Sequence, residues 1–450
     1  MDQRNWWADA LRCVLAIVTG FIIALVAGAV WAAPPCDVDR PNEHAAFPCG
    51  VILYSPSGSV SSSVLAGMAR GAGASVRHQF AIVSAASATV HNRSTLQALA
   101  VSSAQVIPDR TMRAIAKPGG GGGGGSTGEV QQAGATRIGA PVTGNNGAGV
   151  GIAIVDTGLD FNHTDLQGAF GIGCHDSFGA SCQDQNGHGT HVAGIVGARD
   201  NDTGVVGVAS GATLYAVRVL DASGSGSDSD VMAGLDWIYS QNTGGMKIRV
   251  ANMSLGRDGT VNDNPAMHAT VTKLSDQGVT IVVAAGNDPK MVISQQVPPA
   301  YPEVLAIASS TAIDGTNACN RLSSAIRADT ASYFTTDGDG VVVSAPGEDK
   351  EDVSRGCLIS STGILSLKLG GGTTRMSGTS MASPHVAGVA ALLVAADTTI
   401  TPACVRAKIA KGAVRQDAAP LNSPTSSYTF DGKREGILSA PGALGASCSP

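Results

Sequence analysis

Charge is scarce in this 450-residue sequence: Asp, Glu, Lys and Arg together make up 14%. There are 29 basic against 35 acidic side chains, and the net charge of −6 comes with no basic cluster. Binding phosphates needs clustered Lys and Arg, so nucleic acid is excluded as a partner. The shortage of charge is not that of a disordered chain, because 43% of the residues are apolar and Gly, Ala, Ser and Val dominate. Such a composition suits a compact α/β protein packed through small side chains. The length allows one large domain and a smaller one.

Long hydrophobic runs are scarce as well. The one at the start spans residues 13–31, behind Arg4 and Arg12 and ahead of Ala32-Ala33-Pro34. Val30-Trp31-Ala32 matches what a signal peptidase reads, so residues 1–32 are expected to be a leader cut after Ala32, and the protein secreted. The run is also long enough to cross a bilayer, which leaves an uncleaved membrane anchor, or a periplasmic protein, as the alternative. Removing Cys13 leaves eight cysteines, an even number that fits disulfides in an exported chain. Near neighbours suggest Cys36 with Cys49, Cys174 with Cys182, Cys319 with Cys357 and Cys404 with Cys448. Eight cysteines allow about 105 pairings, and free buried thiols remain the other reading.

A glycine run at 119–125 inside a linker, 118–128, divides the chain beyond the leader in two. It cannot build a core. Residues 33–117 read as a small α/β module, with strands at 51–54, 81–83 and 104–107 and helices at 61–71 and 94–101. Residues 129–450 alternate apolar strands (150–155, 213–220, 248–253, 280–284, 304–308) with helices (190–198, 228–239, 265–277, 380–396). That alternation predicts a doubly wound, mostly parallel sheet with helices on both faces. Ligands to such sheets bind beyond the carboxyl ends of the strands.

Three reactive side chains stand at such ends. Asp156 follows the strand Gly151-Ile152-Ala153-Ile154-Val155. His188 opens a helix within Asn186-Gly187-His188-Gly189-Thr190-His191. Ser380 opens another within Gly378-Thr379-Ser380-Met381-Ala382. Each alone has an ordinary explanation as a cap or a packed residue. Together they supply what acyl transfer needs. A hydroxyl is a poor nucleophile until a base takes its proton. A neutral imidazole can take it near pH 7 and later return it to the leaving amine. A carboxylate holds the imidazole in the right tautomer. The helix N-terminus at Ser380 adds a free N–H near a developing oxyanion, and Asn287, after Ala284-Ala285-Gly286, can add a side-chain donor; otherwise Asn287 is a turn residue.

The motifs VDTGLD, NGHGTHVAG, SLG, AAGN and GTSMASPHVAG resemble those of the subtilisin family of serine proteases, from about Glu129 to Val414. The family's chain order is Asp, His, Ser. The resemblance implies Ser380 as nucleophile, His188 as general base, Asp156 as orienter, and Asn287 with the Ser380 N–H as oxyanion donors. His191 and His385 read as structural. It further implies that Ser254-Leu255-Gly256 and the stretch holding Gly224, Ser225 and Gly226 grip a substrate backbone as sheet edges, which suits a broad endopeptidase acting on proteins or peptides. The first pocket would be walled by Leu255, Gly256 and residues 284–286, with Gln296 or Val297 as its floor. The loop 288–299 departs from the family pattern, and Val297–Pro298 is a candidate cis bond.

A structural calcium ion is also implied, with no catalytic cofactor. Asp165 and Asn201 would give side chains, and Arg199, Thr203 and Val205 carbonyls, with Glu129 as a further candidate; a solvated acidic turn is the alternative. The segment from Val51 to Arg113, ending near Val106-Ile107-Pro108-Asp109, resembles an inhibitory propeptide whose last strand plugs the cleft. Self-cleavage is then expected within 116–128, giving a monomeric enzyme inhibited by its own propeptide. A transpeptidase on the same scaffold and a binding pseudoenzyme are the competing functions. The first would need an amine to outcompete water, and the second sits poorly with four filled positions.

Overall fold

The computed structural model describes residues 33–38, 46–118, 128–179, 181–245, 247–424 and 431–448. The leader at 1–32 and the glycine run lie outside them.

The N-terminal unit is an antiparallel sheet of β1 (Cys49–Tyr54), β2 (Ser75–Gln79), β3 (Ala85–Val90) and β4 (Gln105–Pro108), in the order β2-β3-β1-β4. Two helices cover one face. Helix α1 (Ser62–Gly71) is capped by Ser61 and α2 (Arg93–Ala100) by Asn92, whose side chain accepts from the Thr95 N–H at 2.9 Å. Side chains alternate along β1. Val51 and Leu53 join Leu65, Leu96 and Leu99 in the unit's own core, whereas Ile52 and Tyr54 pack with residues of the larger unit. The strand expected at 81–83 is absent. Those residues turn between β2 and β3, and the N–H groups of Ala81 and Ile82 donate to the Asp236 carboxylate. Ile82 and Val83 are apolar because they pack against the larger unit, not because they pair in a sheet.

The chain then crosses the larger unit as two short strands, β5 (Thr111–Ala114) and β6 (Lys117–Pro118), before helix α3 (Ala133–Arg137). The large sheet contains β7 (Gly151–Asp156), β8 (His175–Asp176), β9 (Thr213–Arg218), β11 (Ile248–Met253), β13 (Thr280–Ala284), β15 (Leu305–Thr311) and β16 (Val341–Glu348). Its order is β16-β15-β13-β11-β7-β9-β8, and every pairing is parallel. Helices α4 (His188–Gly197), α7 (Thr379–Ala396), α8 (Pro402–Gly412) and α9 (Ala440–Gly445) pack with one apolar layer; α5 (Asp228–Asn242) and α6 (Pro265–Asp276) pack with the other. Continuous burial of β7 and β13 matches strands covered on both faces. Strand β16 escaped sequence reading because Pro346 and Gly347 break its apolar run.

Smaller strands complete the rims. They are β10 (Ser225–Ser227), β12 (Leu255–Asp258), β14 (Gln296–Val297), the hairpin β17 (Lys350–Val353) with β18 (Ile359–Thr362), and the hairpin β19 (Ile364–Leu367) with β20 (Thr373–Ser377). The Val297–Pro298 bond is cis. All four neighbouring cysteine pairs form disulfides as expected.

Candidate active site

Asp156 ends β7 and His188 begins α4, and the fold brings them together. His188 Nδ1 lies 2.8 Å from Asp156 Oδ1, with both side chains buried. The Thr157 N–H donates to the same carboxylate oxygen at 2.7 Å. Burial pulls the imidazole pKa down, but the Asp156 carboxylate outweighs it, and the net direction is upward. His191 and His385 behave as structural residues. Burial pushes them down to about 3 and about 4, respectively, so both are neutral near pH 7, and each meets a backbone carbonyl, of Ile364 and Met381.

Ser380 stands one residue inside α7, but its hydroxyl does not meet His188. It donates to the carbonyl of Ile115 and contacts the Ser254 carbonyl at 3.1 Å. His188 Nε2 is buried with no partner among the described residues. Asn287, just beyond β13, donates from Nδ2 to the same Ile115 carbonyl at 3.0 Å, while its Oδ1 accepts from the Thr379 N–H at 2.9 Å. Thus Thr379 fixes the amide's orientation. The Ser380 N–H makes no hydrogen bond to that carbonyl among the described residues. A Cβ on Gly378 would lie 2.7 Å from the Ile115 oxygen and 2.8 Å from Asn287 Nδ2. Only glycine leaves space for the chain to pass there.

The substrate edges read from sequence hold the chain's own segment. Strand β5 lies antiparallel between β10 and β12, with Arg113 opposite Ser225 and Gly256 and Met112 opposite Gly226. Ala114 donates to the Gly224 carbonyl at 2.9 Å, and Ile115 to the Ser254 carbonyl at 3.2 Å. Leu255 pairs with Ala114. Beyond Ala116, β6 pairs with β20, Lys117 opposite Ser377. Met112 is fully buried in the apolar layer, and the space above Gly256 is taken by Ile115, whose Cδ1 would be 3.0 Å from an added Cβ.

Sequence reading missed Asp184. This buried carboxylate accepts from Thr157 Oγ1, the N–H groups of Asn186, Gly187 and Thr190, and Thr190 Oγ1, all within 2.6–2.9 Å. It ties the loop after Asp156 to the turn that presents His188. An Asp four residues before a helix-opening His, with Gly between, is the local signal that could have found it. Ile115 had no local signal; its position depends on how the whole segment is threaded.

The residues expected to hold calcium also meet in one place. Asp165 Oδ2 accepts from the Val205 N–H at 2.9 Å, while its Oδ1 is buried without a hydrogen-bond donor. Glu129 Oε1 accepts from the Asn201 N–H at 2.9 Å. Among the described residues, the carbonyls of Arg199, Thr203 and Val205 accept no hydrogen bond. An orphaned buried carboxylate oxygen beside free carbonyls is a donor set that suits a hard cation.

A seven-stranded parallel sheet with helices on both faces, carrying an aspartate–histidine pair and a helix-opening serine at its rim, defines the subtilisin-like class of α/β fold. The subtilase family profile matches residues 147–431, and the chain belongs to that family. It is 37% identical over 275 residues to minor extracellular protease Epr of Bacillus subtilis (strain 168), covering 61% of this chain and 36% of that protein. It is 40% identical over 257 residues to subtilisin-like protease 6 of Trichophyton soudanense, covering 55% and 52%. The chain therefore spans between a third and about half the length of these curated relatives. The crystal structure of fervidolysin from Fervidobacterium pennivorans, a keratinolytic enzyme related to subtilisin, superposes with a TM-score of 0.66 at 21% identity, over 90% of this chain and 62% of that one. That likeness is one of fold.

Proposed function

We propose that this protein is a secreted serine endopeptidase, synthesised as a precursor that cuts itself between Ile115 and Ala116. The observation that carries the reading is the Ile115 carbonyl, engaged at once by the Ser380 hydroxyl and the Asn287 amide while β5 and β6 run on through the cleft. This bond lies just before the stretch expected from sequence.

In the reaction, the Ser380 hydroxyl turns from the Ile115 oxygen to His188 Nε2, which has a vacant lone pair in the neutral ring. Catalytic hydrogen bonds are often unmade before the reacting complex tightens. Nε2 takes the proton as Oγ bonds to the Ile115 carbonyl carbon. Asp156 stabilises the imidazolium through Nδ1, and Asn287 Nδ2 holds the negative oxygen. His188 then protonates the Ala116 nitrogen, the peptide bond breaks, and Ile115 is left as an ester on Ser380. Water, deprotonated by His188, releases Ile115 as a carboxylate. Residues up to 115 then act as an inhibitory propeptide, held by the two sheet edges. The same edges would read protein substrates through their backbone, with an aliphatic residue before the cut and a buried apolar one three residues earlier, as Ile115 and Met112 are.

The test is the mature N-terminus. It is expected at Ala116, and Ser380→Ala is expected to lower self-cleavage by roughly 10⁶-fold and leave the precursor whole. A normally processed Ser380→Ala protein, or a wild-type protein that a fluorophosphonate does not label at Ser380, would sink the reading. Calcium belongs to the proposal: Asp165, Asn201 and the carbonyls of Arg199, Thr203 and Val205, with Glu129, would hold it and fasten the loop after α4. Excess chelator should lower Tm by about 2 °C for each kcal/mol that the ion supplies. An unchanged melting curve would count against the ion.

A further inference from the structure

Two glutamates outside the reactive trio face each other in the core. Glu348 ends β16 and Glu351 lies in β17, and both are fully buried. Both stand against Ser361: Glu351 is opposite it in the β17–β18 ladder, and Glu348 accepts from its hydroxyl. Glu351 Oε1 accepts from the Tyr333 N–H at 2.8 Å, and Glu348 Oε2 accepts from Ser361 Oγ at 2.5 Å. The remaining oxygens, Glu348 Oε1 and Glu351 Oε2, are buried and meet no N–H or O–H donor among the described residues. Two ionised carboxylates buried side by side have no donor for these oxygens, a need that is met if one carboxyl keeps its proton and turns it toward the other.

The pair is wired to the reactive loop. Ser361 Oγ meets Ser377 Oγ at 2.6 Å, and the Gly378 N–H donates to the Gly347 carbonyl at 3.0 Å. Ser377 and Gly378 therefore hang from residues 347–348 by two adjacent links. Ser377 is also the residue of β20 that pairs with Lys117, and Ser380 comes three residues later. We infer that the Glu348–Glu351 pair holds one proton and, through Ser361 and Ser377, positions the strand end that receives the chain beyond the cut. Glu348 and Glu351 are thus positioning residues, and this role rests on the proposed peptidase reading.

Among the described residues, the surroundings offer the pair no cation. Arg375 of β20 pairs with Asp349 at 2.5 Å, and Lys350 of β17 pairs with Asp352 at 2.8 Å. Tyr333 faces both glutamates, and burial, then their charge, pushes its hydroxyl up. Burial is the main reason that Glu348 is held well above the ordinary glutamate range, with Glu351 adding to it; burial raises Glu351 too. A raised folded-state pKa means stability that is full below the ordinary glutamate value and is lost as pH rises through the folded value. Raising pH through the folded-state value should therefore charge both groups, drive them apart and slacken the Ser361–Ser377 link.

The experiment uses the mature enzyme and its Glu348→Gln variant, in which a neutral amide keeps a donor toward Glu351 at every pH. Labelling of Ser380 by a fluorophosphonate comes first; without it the peptidase reading fails, and this inference is not what has been refuted. In labelled protein, KM for a peptide extended several residues past the cut is expected to rise in the wild type by up to about tenfold per pH unit once pH passes the pair's folded-state pKa. It should stay flat in Glu348→Gln. A nitroanilide substrate, which has nothing to seat on β20, should give parallel profiles in both. Tm should match between the two near pH 4.5 and diverge upward in favour of the variant. If Glu348→Gln does not fold, Glu351→Gln carries the same expectation. Parallel KM and Tm profiles across pH in the wild type and either variant would overturn the shared proton and its role.

Discussion

Residues 111–114 lie between two strands, β10 and β12, whereas residues 117–118 are paired along β20 alone. The first grip uses the backbone on both sides and buries Met112 completely. The second is a two-residue ladder. If the bond between them is cut, the two new ends should leave at very different rates. The upstream end would stay as an inhibitor and the downstream end would depart, which would give the proposed reaction a direction without any further device.

That contrast can be broken experimentally. Of these changes the largest effect should come from Asn287→Ala, which removes the amide donor to the Ile115 carbonyl. A loss of about 10²–10³ in kcat is expected for self-cleavage and for added peptides alike; equal rates would show that Asn287 only braces Thr379. Next is Met112→Ala. Emptying a fully buried site costs about 2 kcal/mol or more, so the released propeptide should inhibit roughly thirtyfold less well. Extending the propeptide past Ile115 through Lys117 and Pro118, tested on Ser380→Ala enzyme so that it is not cut, should tighten the same inhibition constant by no more than about twofold. A comparable effect from the downstream pair would erase the asymmetry. The smallest prediction concerns pH. His188 works as a base only when neutral, and its pKa is raised, so kcat/KM should fall on the acid side with a midpoint above the ordinary imidazole value of about 6.5. A midpoint below that value would mean that burial, not Asp156, dominates the imidazole.

Features that depend on a few adjacent residues were legible in the sequence. Asp156, His188, Ser380 and Asn287 stand at glycine-flanked ends of strands and helices, and the fold puts each at the rim of the sheet. Each described cysteine paired with its next neighbour along the chain, at separations of 13, 8, 38 and 44 residues. Legibility failed where tertiary context decides. Ile82 and Val83 looked like a strand because they are apolar, yet they pack on α5's layer from a turn. Strand β16 hides behind Pro346 and Gly347, and the hairpins β17–β18 and β19–β20 are too short to announce themselves, with only β19 mostly apolar. The serine was expected on the histidine; its hydroxyl instead faces Ile115, because a peptide from elsewhere in the chain already fills the cleft.

The positions of the disulfides carry one more consequence. Cys36–Cys49 closes a loop within the N-terminal unit, and the other three bonds close loops within residues 174–448. Among the described residues, no cystine bridges residue 115. Hydrolysis there would turn one molecule into two fragments that reducing agents are not needed to separate. Dilution, denaturant or digestion of the smaller fragment would then be enough to make the change permanent.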